Sequence, residues 1–87
     1  MAFAILSHPV ADFKSWKTIY DADVERRTAA GLKEIIVGQD AEDPDMVYIV
    51  FKTDNPEAVH KMISDPNLAK VMKEAGVTGP PKVVIVQ

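Results

Sequence analysis

The most constraining feature of this 87-residue sequence is that its strand-forming segments are apolar on both faces. A sheet with one wet face alternates apolar and polar residues. Here Met46-Val-Tyr-Ile-Val-Phe51 is apolar at six consecutive positions, and Ile35-Ile-Val37 and Val83-Val-Ile-Val86 behave alike. A chain of this length makes one domain and buries only about 63% of its unfolded surface. It therefore has little else with which to cover a second sheet face.

The order of elements defines the fold. Ala2 to His8 is a short β-prone run that Pro9 stops. A helix is predicted from about Asp12 to Ala30, because Phe13, Trp16, Tyr20, Val24 and Arg27 recur at steps of three and four and share one face. Asp12, Lys14, Asp21, Glu25 and Arg26 fall mostly away from it, and Gly31 ends it. Leu32 to Gln39 and Met46 to Thr53 read as strands joined by the polar turn Asp40 to Asp45, hence a hairpin. Asp54 opens a second helical region, with Pro56 in its first turn and Glu57 at capping-box spacing. Asp65-Pro66 restarts that region and Gly76 terminates it. Gly79-Pro80-Pro81 leads into a last strand, Lys82 to Gln87.

The order β-α-β-β-α-β is a split βαβ, ferredoxin-like α+β pattern with a four-stranded antiparallel sheet. Right-handed crossovers put both helices on one face. Residues of several strands are then left in water on the other face, a larger apolar patch than monomers usually carry. At about 25 cal/mol per Å² of apolar surface, covering it would contribute many kcal/mol before association costs. A second copy packed sheet to sheet, as a two-fold homodimer, is the economical cover. The alternative is a buried central strand with partial exposure elsewhere.

Composition narrows the function classes. Ten Lys and Arg against thirteen Asp and Glu give a net charge of −3. No basic excess exists to neutralise phosphates, so a nucleic-acid partner is not expected. Cysteine is absent, which excludes disulfides, thiolate catalysis and Cys-ligated metals. No apolar run approaches the roughly 18 residues of a membrane helix. The apolar start at Met1 to Leu6 is too short for a signal-peptide core. A cytoplasmic protein with no membrane partner is expected.

The stretch His8-Pro-Val-Ala-Asp12-Phe13-Lys-Ser-Trp16-Lys17 resembles the strand-to-helix segment of small bacterial dimeric α+β barrel proteins related to the antibiotic biosynthesis monooxygenase superfamily. Some of these are labelled "cyclase" without demonstrated chemistry. The resemblance continues through Tyr20, Arg27, Gly31, Asp43-Pro44-Asp45, Asp65 with Leu68, Ala75-Gly76-Val77 and Pro81. It implies a dimeric α+β barrel with a ligand cavity between helices and sheet. It also implies kinship with cofactor-independent oxygenases of aromatic polyketides and with haem degraders. The haem degraders carry an asparagine on the first strand and a tryptophan and a histidine further along. Here Asn55 and Asn67 stand at helix starts and the single tryptophan, Trp16, is on the first helix.

The resemblance and the residues together single out His8 at the end of the first strand, on the alternating set of Ala4 and Leu6. A histidine there suits a general base or a hydrogen-bonding group for a ligand. The competing reading is a strand-end cap, or a partner for Asp12. Phe13, Trp16 and Tyr20 either fill the core or wall a pocket beside small Ala4. Arg27 stands on their stripe, either to anchor an acidic ligand or to neutralise the helix C-terminus. His60 and His8 lack metal-ligand spacing, and the acidic turn lacks the spacing and central glycine of a calcium loop. Neither GxGxxG nor GxxxxGK[ST] occurs, and Ser7 and Ser15 have no nucleophile-elbow context. No metal and no cofactor is expected. Three functions fit: a cofactor-independent monooxygenase-, cyclase- or isomerase-like enzyme on an apolar, acidic metabolite; a non-catalytic metabolite binder; and a purely structural homodimer.

Overall fold

The computed structural model describes residues 1–87. Its elements are β1 (Ala2–Pro9), α1 (Phe13–Ala22), α2 (Val24–Ala29), β2 (Lys33–Gln39), β3 (Met46–Thr53), α3 (Pro56–Ile63), α4 (Pro66–Glu74) and β4 (Lys82–Val86). The sheet is antiparallel throughout, in the order β2-β3-β1-β4. This is the ferredoxin-like α+β fold expected from the element order. No helix is long and apolar enough to cross a membrane.

The register separates the two sheet faces. Ala4, Leu6 and His8 of β1 lie with Val47, Ile49 and Phe51 of β3 on the inner face, all buried. Trp16 and Tyr20 of α1 and Val59 and Met62 of α3 close over that face to complete the core. The opposite face carries the cross-strand row Val84–Ile5–Val50–Ile36, which runs across all four strands. Ile36 is 58% exposed and Val84 42%. Phe3, Tyr48 and Val86, also exposed, extend the patch. The consecutive isoleucines have a local cause: the register shifts between Glu34 and Ile36, so a bulge turns both Ile35 and Ile36 outward.

The helices differ from the expected ones in three respects. The first is not continuous from Asp12 to Ala30. It breaks at Asp23, whose φ of −95° and ψ of 21° are not helical. Val24 is consequently exposed rather than on the core stripe. The cap of α3 is Asn55, whose side chain accepts from the Ala58 N–H, so the box between Asp54 and Glu57 does not form. Pro9 does not stop β1 but is its last residue, since the pair with Met46 asks no N–H of it.

The segment after β1 is pinned to the end of α4. Ala11 N–H donates to the Gly76 carbonyl at 2.8 Å and Thr78 N–H to that of Pro9 at 3.0 Å. A Cβ on Gly79 would stand 2.9 Å from Pro9 Cγ, so glycine there permits the close approach. These contacts hold the end of β1, and His8 with it, against the segment that leads from α4 to β4.

Gly31, at φ +74°, turns the chain from α2 into β2. Adding a Cβ there meets no neighbour, so the cost is conformational only. Gly31→Ala should lower unfolding stability by about 1 kcal/mol, and Gly31→Asn should recover part of it, since Asn tolerates the left-handed region. Urea unfolding midpoints measure this. An unchanged midpoint in Gly31→Ala would contradict the left-handed turn.

Candidate functional site

A cavity of about 60 Å³ lies between the inner sheet face and the helices. Leu6 and His8 of β1 and Ile49 and Phe51 of β3 form its floor. Trp16 and Tyr20 of α1, Met62 of α3 and Met72 of α4 are among its walls. Asp23, Arg26 and Arg27 add charge at the α1–α2 junction. A water needs roughly 10–15 Å³ by this kind of measure, so the space admits a few small groups. It is well below the ~300 Å³ at which ordinary ligand pockets begin.

An aromatic stack crosses the site. The His8 and Trp16 rings meet edge to face at 5.5 Å, and Trp16 stacks on Tyr20 at 4.8 Å. The Arg27 guanidinium carbon lies 3.7 Å above the Tyr20 ring centre. Arg27 Nη1 also donates to the Tyr20 carbonyl at 2.7 Å. Arg27 thus caps the last turn of α1 and also lines the cavity. The Tyr20 hydroxyl donates to Glu34 Oε1 at 2.7 Å. Burial, and then this bond to a carboxylate, push the phenol's pKa far up, so it stays protonated.

His8 is only 4% exposed, and its Nδ1 is buried without a hydrogen-bond partner. It is not paired with Asp12, because that carboxylate caps α1 by accepting from the Ser15 N–H and hydroxyl at 2.9 and 2.8 Å. Burial lowers the imidazole's pKa below the ordinary 6.5 and favours the neutral ring.

Four of the five residues singled out from sequence, His8, Trp16, Tyr20 and Arg27, meet at the cavity. Phe13 does not line it and instead packs on Trp16 with ring centres 5.7 Å apart. Ala4, expected to leave room for a pocket, is fully buried in the core and is not part of the wall. Arg26 lines the cavity, contrary to its place on the helical projection. It was missed because the break at Asp23 changes the helical phase. The one signal available was the i,i+3 spacing of Asp23 and Arg26, which do form an ion pair at 3.0 Å. His60 is exposed, away from His8, and no cluster of three or more metal-ligating side chains occurs.

The family model for DUF3764, a domain of unknown function, matches residues 4–79. The chain belongs to that family. No curated protein matches it. Solved structures share its fold. A monooxygenase from Streptomyces coelicolor in complex with the ligand nanaomycin D is 18% identical, with a TM-score of 0.63 over 99% of this chain and 85% of that one. An antibiotic biosynthesis monooxygenase is 14% identical, with a TM-score of 0.63 over 100% and 97%. A protein from Agrobacterium tumefaciens is 8% identical, with a TM-score of 0.71 over 100% and 92%. The resemblance to the antibiotic biosynthesis monooxygenases therefore holds at the level of the fold.

The buried neutral histidine makes stability depend on pH. Its folded pKa lies below the unfolded 6.5, so the unfolded chain binds the proton more readily. The stabilisation is complete above that value and is lost as pH falls below it, until the folded ring itself protonates. The loss is at most about 1.4 kcal/mol per pH unit. Unfolding free energy should fall between pH 7 and about 5.5, and His8→Phe should flatten that part of the profile. A wild-type profile as flat as the variant's would contradict the neutral, buried His8.

Proposed function

We propose that this protein is a cytoplasmic homodimer, each subunit binding a small, mostly apolar, acidic metabolite between its helices and sheet. His8 exchanges a proton with the bound molecule, in a cofactor-independent reaction of the monooxygenase, cyclase or isomerase kind. The observation that carries the reading is the His8 Nδ1, buried beside a cavity with no partner in the chain. Leaving a buried polar group unsatisfied costs about 1–3 kcal/mol, which a ligand donor or acceptor would offset. A neutral imidazole is the form that accepts a proton. Arg27 supports the acidic character of the ligand. It lines the cavity and forms none of the chain's three salt bridges, whereas Arg26 takes part in two. The shared fold of the Streptomyces monooxygenase, which binds nanaomycin D, supports an oxygenase among these reaction types.

A second reading, binding without turnover, is favoured by the lack of any carboxylate against His8 to raise its basicity. Native mass spectrometry should find a small organic acid on the purified protein. Incubation with that acid and oxygen should convert it, and His8→Ala should lose the conversion while retaining the acid. Retained conversion in His8→Ala sinks the catalytic role. A protein that never carries a ligand sinks both readings and leaves the structural dimer.

The dimer rests on the apolar row Val84–Ile5–Val50–Ile36, which no element of the chain covers. Exposed patches of this extent mark association surfaces. Sedimentation equilibrium at micromolar concentration should give twice the 9.6 kDa chain mass. Ile5→Glu, which puts a charge in the middle of the row, should shift the protein toward monomer. A wild-type monomer would overturn the sheet-to-sheet assembly.

A further inference from the structure

The cavity is about half open to water, and its charged lining is confined to one place. Asp23, Arg26 and Arg27, at the α1–α2 junction, are each half-buried and keep contact with water. Leu6, His8, Ile49 and Phe51, in the floor, are at most 5% exposed. A ligand's charge must stay beside the first group, because an unpaired ion is costly among the second. Asp23 is balanced there by Arg26 at 3.0 Å, whereas Arg27 pairs with no carboxylate of the chain.

The shape of the space follows from the row of side chains beside it. His8, Trp16, Tyr20 and Arg27 all line the cavity, and their successive centres lie 5.5, 4.8 and 3.7 Å apart. A void of only about 60 Å³ that touches all four is long and thin. At roughly 10–15 Å³ for each water-sized group, it holds about four to six of them in file. A methylene is close to that size. The rings of the row are engaged with one another: Tyr20 is covered by Trp16 and Arg27, and Trp16 also by His8 and Phe13. They leave little aromatic face on which a ligand ring could stack. The side chains that α3 and α4 supply, Met62, Ile63, Leu68, Val71 and Met72, are aliphatic or thioether. Such walls favour the burial of methylene groups.

We infer that the bound metabolite is an unbranched aliphatic carboxylate, with about four to six carbons beyond the carboxyl group lying along the cavity. Arg27 holds the carboxylate on the wet side, and the chain runs inward over Leu6 and Ile49 toward His8. The inference rests on the cavity being a binding site for an acidic metabolite. It adds the class of that metabolite: an alkyl chain rather than a fused aromatic system, which the thin void does not admit.

Trp16 reports occupancy of the cavity. It is the only tryptophan, it lines the cavity, and it is 3% exposed, so alkyl chains adsorbed on the outer sheet face do not touch it. The sodium salts of the straight-chain acids from propanoate to nonanoate serve as probes, with Trp16 emission and calorimetry as readouts. The dissociation constant should fall about four-fold for each added methylene, the worth of burying one such group. It should level off once about four to six carbons follow the carboxyl group. Benzoate, with as many carbons as heptanoate, should bind less tightly than heptanoate. Val71→Phe, which fills the space from the half-buried face of α4, should move the levelling to a shorter chain. Arg27→Gln should weaken every acid about ten-fold, the loss of one charge-assisted hydrogen bond, and should leave the four-fold step per methylene in place.

Affinity that does not rise with chain length overturns the alkyl class, as does tighter binding of benzoate than of heptanoate. So does a rise that continues evenly to nonanoate, which would be adsorption outside the cavity. If Val71→Phe fails to fold, the chain series and Arg27→Gln decide. The class and the binding reading fail separately. An aromatic acid found on the purified protein refutes the alkyl class and leaves the binding reading standing. A protein that carries no metabolite and shows no saturable change in Trp16 emission with any of these acids refutes both.

Discussion

The packing of Trp16 between His8 and Tyr20 is the interaction on which the site depends. The indole touches β1 through the histidine ring and the rest of α1 through the tyrosine ring. It thus fixes where the first helix crosses the sheet. Asp12 starts that helix three residues after β1 ends, with its carboxylate on Ser15, so little slack separates the two elements. The void arises because flat rings stacked at an angle do not fill the curved space above Leu6, Ile49 and Phe51. Met62 and Met72 approach it from the other helices without closing it.

Much of this was legible in the sequence because it rests on local periodicity. The bounds of β3 follow from its uninterrupted apolar run, and the strand order follows from the element order once crossovers are right-handed. His8, Trp16, Tyr20 and Arg27 were legible as one group because two periods, of two and of about 3.6 residues, converge on the same end of the sheet. The break at Asp23 was not legible. The apolar spacing runs through it, and one contact made there is long-range: the Arg26 guanidinium that binds Asp23 is also held by Asp65. The absence of Phe13 from the cavity wall is similar, since facing the core does not specify which part of the core a ring touches. Ala4 shows the reverse error. A small residue leaves space only if its neighbours do not close it, and Phe51, directly across the ladder, is fully buried.

The two faces of the sheet are linked through its thinness. Each strand presents alternate residues to the cavity side and to the apolar row, so Leu6 and Ile49 alternate with Ile5 and Val50. In the proposed dimer the row is buried against its copy, and the backbone of β1 and β3 is held from both sides. That matters for a cavity whose floor consists of those same strands. A floor free to bend would relax into the void and fill it. A floor clamped on its other face keeps the void open, so on this reading association and ligand binding are two consequences of one sheet. A dimer built for stability alone would gain by filling the cavity, since a void of this kind forfeits dispersion contacts with nothing in return.

The two neighbouring arginines then divide the electrostatic work. Arg26 is compensated by carboxylates on both sides, so any movement of it exchanges protein partners for water or for a ligand. Arg27 is held by a ring face and a backbone carbonyl. Neither contact cancels a full charge. Tyr20 strengthens this hold, because donating its proton toward Glu34 enriches the ring beneath the guanidinium. A ligand carboxylate meeting Arg27 would displace no ion pair, whereas one meeting Arg26 would have to compete with Asp23 and Asp65. The residue best placed to move is thus the one whose charge is already balanced. The residue best placed to hold an anion is the one whose orientation is fixed and whose charge is not. Adjacent in sequence on α2, both line the same cavity.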